Sequence, residues 1–87
     1  MNQEYVISFS SFYKAAYAQD MLEEAGIAST LKKLPTELVR SCSTGLYLRT
    51  DDIKRVKSVL SRKQIAPSGI YLIRRGSDGQ KGYGKVR

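Results

Sequence analysis

The chain predicts a ferredoxin-like α+β sandwich, in which a four-stranded antiparallel sheet carries two helices on one face. Three observations lead there. The elements follow in the order β-α-β-β-α-β, both helices show an apolar stripe at helical spacing, and glycine or proline marks the joins. The 87 residues allow one small domain with a thin core. Residues 1–75 read as that domain, and residues 76–87 as a flexible basic, glycine-rich tail.

Tyr5-Val6-Ile7-Ser8-Phe9 is dense in β-branched and aromatic residues, as a strand buried on both faces should be. Ser10 or Ser11 offers an N-cap, and Phe12, Ala15, Ala18, Leu22 and Ala25 then recur on one side of a helix. Gly26 suits the residue just past the helix end, because glycine enters the left-handed conformation cheaply. Ser29 to Leu34 is a second, weaker strand, ended by Pro35, which lacks a backbone donor. Residues 35–45 are a polar connection. Gly45-Leu46-Tyr47-Leu48-Arg49 alternates as a third strand, and Thr50 or Asp51 caps a second helix with an inward stripe of Ile53, Val56 and Leu60, Val59 alongside. Acids precede that helix and bases fill its later turns, the order its macrodipole favours. Pro67-Ser68-Gly69 is a turn, and Ile70-Tyr71-Leu72-Ile73 a fourth strand. Strands 1 and 3 should be central. Strand 4 is more apolar than an edge requires, which suggests pairing with a second copy of the chain.

Composition excludes more than it names. The chain has no histidine and one cysteine, so nucleophile–imidazole catalysis and zinc sites of the usual nitrogen and sulfur kind are improbable. No apolar run reaches membrane-spanning length, Met1-Asn2-Gln3-Glu4 lacks the order of a signal peptide, and one cysteine cannot staple a secreted scaffold. A cytoplasmic protein is the expectation. Residues 1–50 hold five bases and five acids, whereas residues 51–87 hold ten bases and three acids, the whole net charge of +7. The C-terminal part would therefore face an acidic partner.

Cys42 is the one strong nucleophile, in the hydroxyl-rich run Ser41-Cys42-Ser43-Thr44, two residues after Arg40. Arg40, the hydroxyls and loop amides are a setting in which a thiolate forms near neutral pH. The competing reading is a small residue packed inertly beneath the loop.

Five stretches carry a family resemblance: the run Tyr5 to Phe9, Leu22-Glu23-Glu24-Ala25-Gly26-Ile27, Pro35-Thr36-Glu37-Leu38 leading to Ser41-Cys42, Leu46-Tyr47-Leu48-Arg49, and Gly69-Ile70-Tyr71. Over roughly residues 4–74 the chain resembles a family of small bacterial selenium/sulfur carrier-like proteins. In that family a proline-led segment carries a cysteine followed by glycine just before the third strand. Here Ser43 and Thr44 stand between Cys42 and Gly45, and counted back from the strand the cysteine position falls on Thr44. The resemblance implies a carrier or adaptor, rather than a self-sufficient catalyst, that needs no cofactor. Cys42 would hold sulfur or selenium as a persulfide or selenopersulfide, with Arg40 stabilising its thiolate. A cysteine desulfurase or another sulfur/selenium-handling enzyme would be the partner, docking on the basic second helix through Lys54, Arg55 and Arg62.

Two rival readings remain. The β-α-β-β-α-β scaffold also serves RNA recognition, where aromatic residues on the central strands stack bases. Tyr47 is placed for that role, and Arg74, Arg75, Lys81, Lys85 and Arg87, with Tyr83 among glycines, would meet phosphates. The other rival is a regulatory module that binds a small ligand at a dimer seam, a reading that rests on fold analogy alone.

Overall fold

A computed structural model describes residues 3–34, 44–76, 79 and 81–86, with Arg75 and Lys81 described for their backbone alone. The elements are β1 (Gln3–Ser8), α1 (Phe12–Glu24), β2 (Thr30–Lys33), β3 (Thr44–Thr50), α2 (Ile53–Arg62), β4 (Gly69–Arg75) and β5 (Lys81–Val86). They form a mixed α+β fold with one antiparallel sheet in the order β2-β3-β1-β4-β5. Strands β1 and β3 are internal, as their apolar content requires.

The four-stranded expectation is corrected by β5. Residues 81–86, expected within a flexible tail, pair with all of β4 except Gly69, from Ile70↔Val86 to Arg75↔Lys81. This pairing also accounts for the apolar excess of β4. Its outer edge is covered by the same chain, so the argument for pairing with a second copy falls away.

Both helices join one face of the sheet. Tyr5 and Ile7 of β1, Leu46 and Leu48 of β3 and Ile70 of β4 form a single buried cluster with Ala15, Ala18 and Leu22 of α1 and Val56, Val59 and Leu60 of α2. The alternate residues Val6 and Ile73 gather with Leu34 on the opposite face, under Tyr47, Tyr71 and Tyr83. Phe12 departs from the expected stripe. It is the first residue of α1, ahead of the turn that meets the sheet, and 56% of it is exposed.

Local chemistry sets the helix ends. Ser11 caps α1 by accepting from the Lys14 amide at 3.2 Å. The cap of α2 is Asp52 rather than Thr50 or Asp51: its Oδ1 accepts from the Arg55 amide at 3.2 Å, while Thr50 Oγ1 accepts from the Asp52 amide at 3.0 Å. Both helices stop in the same six-to-one and five-to-two pattern of hydrogen bonds. In α1, the Ile27 amide donates to Leu22 O at 2.8 Å and the Gly26 amide to Glu23 O at 2.9 Å; in α2, Ile65 donates to Leu60 O at 2.9 Å and Gln64 to Ser61 O at 3.0 Å. The left-handed residue is Gly26 at φ 81° in one and Gln64 at φ 58° in the other. A side chain costs energy there and glycine does not. Replacing Gly26 by Ala should therefore lower stability by about 1 kcal/mol, and Gln64→Gly should raise it by about 0.5 kcal/mol once the looser unfolded chain is counted. Urea midpoints of the two variants against the parent measure both; shifts of equal sign would contradict the account.

Candidate functional site

The connection between β2 and β3 holds the sulfur predicted to be reactive. Cys42 and Arg40 lie outside the described residues, as does Arg87, but the frame of the connection is described. Lys33 and Thr44 form the last rung between β2 and β3, so the chain leaves and re-enters the sheet at neighbouring positions. Beside that rung the Tyr47 hydroxyl donates to Lys33 O at 3.0 Å, and Lys32 Nζ sits 5.6 Å from the centre of the Tyr47 ring, a cation–π distance. Leu34, buried, lies over Gly45: a Cβ added at Gly45 would collide with Leu34 Cδ2 and with the Ile7 carbonyl oxygen. Two lysines and a fixed tyrosine thus border the place where the chain re-enters the sheet at Thr44.

The other predicted contact residues divide between the two faces. Lys54, Arg55 and Arg62 are exposed on α2, whose buried residues belong to the helix side of the sheet. Arg55 also has a structural partner, since its guanidinium donates to Ala25 O at 2.6 Å and ties α2 to the end of α1. Arg62 lines a shallow groove between the helix ends with Met21, Glu24, Ala25, Val59 and Lys63. Arg74 is exposed on β4, Arg75 and Lys81 are register partners at the end of the β4–β5 ladder, and Lys85 is exposed opposite Tyr71. By strand alternation Arg74 lies on the helix side, as do Lys54, Arg55 and Arg62, and Lys85 lies on the opposite side with its register partner Tyr71.

One arrangement was not foreseen. The pairing Thr30↔Tyr47↔Val6↔Tyr71↔Lys85 runs through all five strands, and Arg49↔Glu4↔Ile73↔Tyr83 runs beside it. Strand alternation puts these residues on the face away from the helices. Val6 is fully buried there, and Tyr47, Tyr71 and Tyr83 are half-buried around it and Ile73. Gly69 makes room for one ring: a Cβ on it would stand 2.8 Å from the Tyr71 hydroxyl and 3.0 Å from its Cζ. The phenol end of Tyr71 therefore lies back along β4. The period-two spacing of Tyr47, Arg49, Tyr71, Ile73, Tyr83 and Lys85 was the available sequence signal.

Among the described residues, no helix is long and apolar enough to cross a membrane, and no group of three or more carboxylate, thiol or imidazole side chains is placed to hold a metal. Neither a curated protein nor a solved structure matches the chain. A family model does match, over residues 4–72, the span from β1 through most of β4. That span includes the connection with Cys42 and most of the sheet, so the chain belongs to the family described as Putative Se/S carrier protein-like.

Proposed function

We propose that the protein is a sulfur or selenium carrier that uses Cys42 as its acceptor. The observation that supports this reading most is the family match, whose span contains Cys42. In the loading step the Cys42 thiolate attacks the outer sulfur of a persulfide on a donor enzyme. A new S–S bond forms at Cys42 Sγ, the donor's S–S bond breaks, and the donor thiolate leaves with the electron pair. No external oxidant is needed, because sulfane sulfur changes hands at constant oxidation state. Delivery repeats the exchange toward an acceptor thiolate.

This chemistry requires a thiolate rather than a thiol. Arg40 is its proposed stabiliser, aided by the hydroxyls of Ser41, Ser43 and Thr44, and Lys32 and Lys33 at the border of the connection add positive charge. The donor approaches the exposed bases Lys54 and Arg62 on α2, where charge attraction raises the encounter rate. The five-stranded sheet and its two helices supply the scaffold, and the partner supplies the general acid–base chemistry that a chain without histidine does not.

Intact-mass spectrometry tests the proposal. Incubation with a cysteine desulfurase and cysteine should add the mass of one sulfur atom to the parent, a gain that dithiothreitol reverses. Cys42→Ser should show none. Alkylation of Cys42 in the native protein should go to completion, and a thiol that reacts only after denaturation would end the carrier reading. Arg40→Ala should slow alkylation several-fold at neutral pH through a smaller thiolate fraction.

A further inference from the structure

We propose that the helix-free face of the sheet binds single-stranded nucleic acid, stacking bases on Tyr47, Tyr71 and Tyr83 and meeting phosphates with Lys32, Arg49 and Lys85. This site shares only Lys32 with the proposed sulfur chemistry and does not depend on Cys42.

Ring geometry comes first. Tyr47 and Tyr71 flank Val6 in one cross-strand row, so their backbones stand two strand spacings apart, about 10 Å. Tyr83 follows one row on, paired with Ile73. All three are half-buried and pack on Val6, Ile73 and Leu34. Each ring is thus held from beneath while part of it remains open to solvent. The room left by Gly69 lets Tyr71 lie back along its strand instead of standing upright. Tyrosines supported in this way lose little freedom when a base stacks on them, and stacking accepts any base because each has a π-face.

Charge selects the partner. Lys32, Arg49 and Lys85 are exposed around the rings, and Glu4 is the one acid among the described strand side chains of this face. The Lys32 ammonium is already poised over Tyr47, where it can meet a phosphate next to a stacked base. An acidic protein would need the cations without the rings; α2, with Lys54, Arg62 and Lys63 exposed, is that kind of surface. Duplexes are disfavoured because their bases are already stacked and their edges lie in grooves that a flat sheet cannot enter.

The test is fluorescence anisotropy of labelled oligo-U and oligo-dT, each about a dozen nucleotides long, titrated with the full chain at several salt concentrations. Binding of either oligomer is expected, and the comparison of the two reads the preference for ribose or deoxyribose. Tyr47→Ala and Tyr71→Ala should each weaken binding roughly tenfold, with Tyr71→Leu and thermal melts confirming that the fold survives. Lys32→Ala and Lys85→Ala should each lower the slope of log affinity against log salt by about 0.7. Lys54→Ala and Cys42→Ser should bind as the parent does, which separates this site from the carrier reading. No anisotropy change with either oligomer at low salt would overturn the proposal. So would binding that the tyrosine variants leave intact, or that Lys54→Ala weakens as much as Lys32→Ala does.

Discussion

Gly45→Ala is expected to destabilise the protein by about 3 kcal/mol, the upper range for overpacking a rigid site. Gly45 sits in β3 between Ser8 of β1 and Lys32 of β2. The added methyl would meet the Ile7 carbonyl oxygen and Leu34 Cδ2 at once. Leu34 could in principle swing away, but it covers Val6, which has no exposure at all. The carbonyl belongs to the central strand and cannot retreat without spoiling the pairing of β1 with both β3 and β4. In a domain of this size each kcal/mol moves the melting midpoint by about 4–8 °C, so calorimetry should read a fall of more than 10 °C by that scaling. The control is Gly84→Ala on β5, where a Cβ meets nothing within 4 Å, and which should change the midpoint little. Equal midpoints for the parent and Gly45→Ala would show that Leu34 is not seated over Gly45.

Ending the chain at residue 80 is expected to have the second large effect, on association as well as on stability. Loss of β5 strips the β4 edge from Ile70 to Arg75 of its ladder partner and removes Val86 from the helix-side core and Tyr83 from the other face. The ordering cost of six residues is released at the same time, so the net loss is about 2 kcal/mol, far below the sum of the bonds broken. An apolar, unpaired edge then remains, which invites another strand. Size-exclusion chromatography should show the shortened chain eluting as dimers or larger species while the parent does not. Hydrogen exchange should show the β4 amides losing protection. A shortened chain as stable and as dispersed as the parent would mean that β5 contributes nothing to the sheet.

The sequence was most legible where one segment dictated its own structure. Ala15, Ala18 and Leu22 recur on one side of α1, Gly26 follows its end, and Tyr5 to Ser8 lie at the centre of the sheet, with Phe9 buried just past the strand end. Local pattern failed where a neighbour decided. Lys81–Val86 contains two glycines and two lysines, which by propensity argue against a strand, yet β4 offers an edge that this segment covers. The clue lies in β4, whose hydrophobicity exceeds an edge's need and whose partner begins twelve residues downstream in the same chain. Phe12 was misplaced because helical spacing extended to the first residue of a helix overlooks that the N-terminus projects beyond the sheet. Cys42 and Arg40 rest on chemistry and family likeness and lie outside the described residues, and Tyr47 was legible as a strand residue while its pairing with Tyr71 across Val6 was not. Strand register is a long-range property, and only the pairing of β3, β1 and β4 reveals that Tyr47 and Tyr71 stand on either side of one valine.

The borders of the sheet carry a last consequence. One border is β2, four residues long and ending in Lys32 and Lys33; the other is β5, which alternates glycine with lysine and tyrosine over much of its length. Short, cationic or glycine-broken margins are poor templates for another chain. Growth by adding strands is therefore blocked on both flanks. A second molecule that docks here would meet a broad face of the sheet rather than extend its edge.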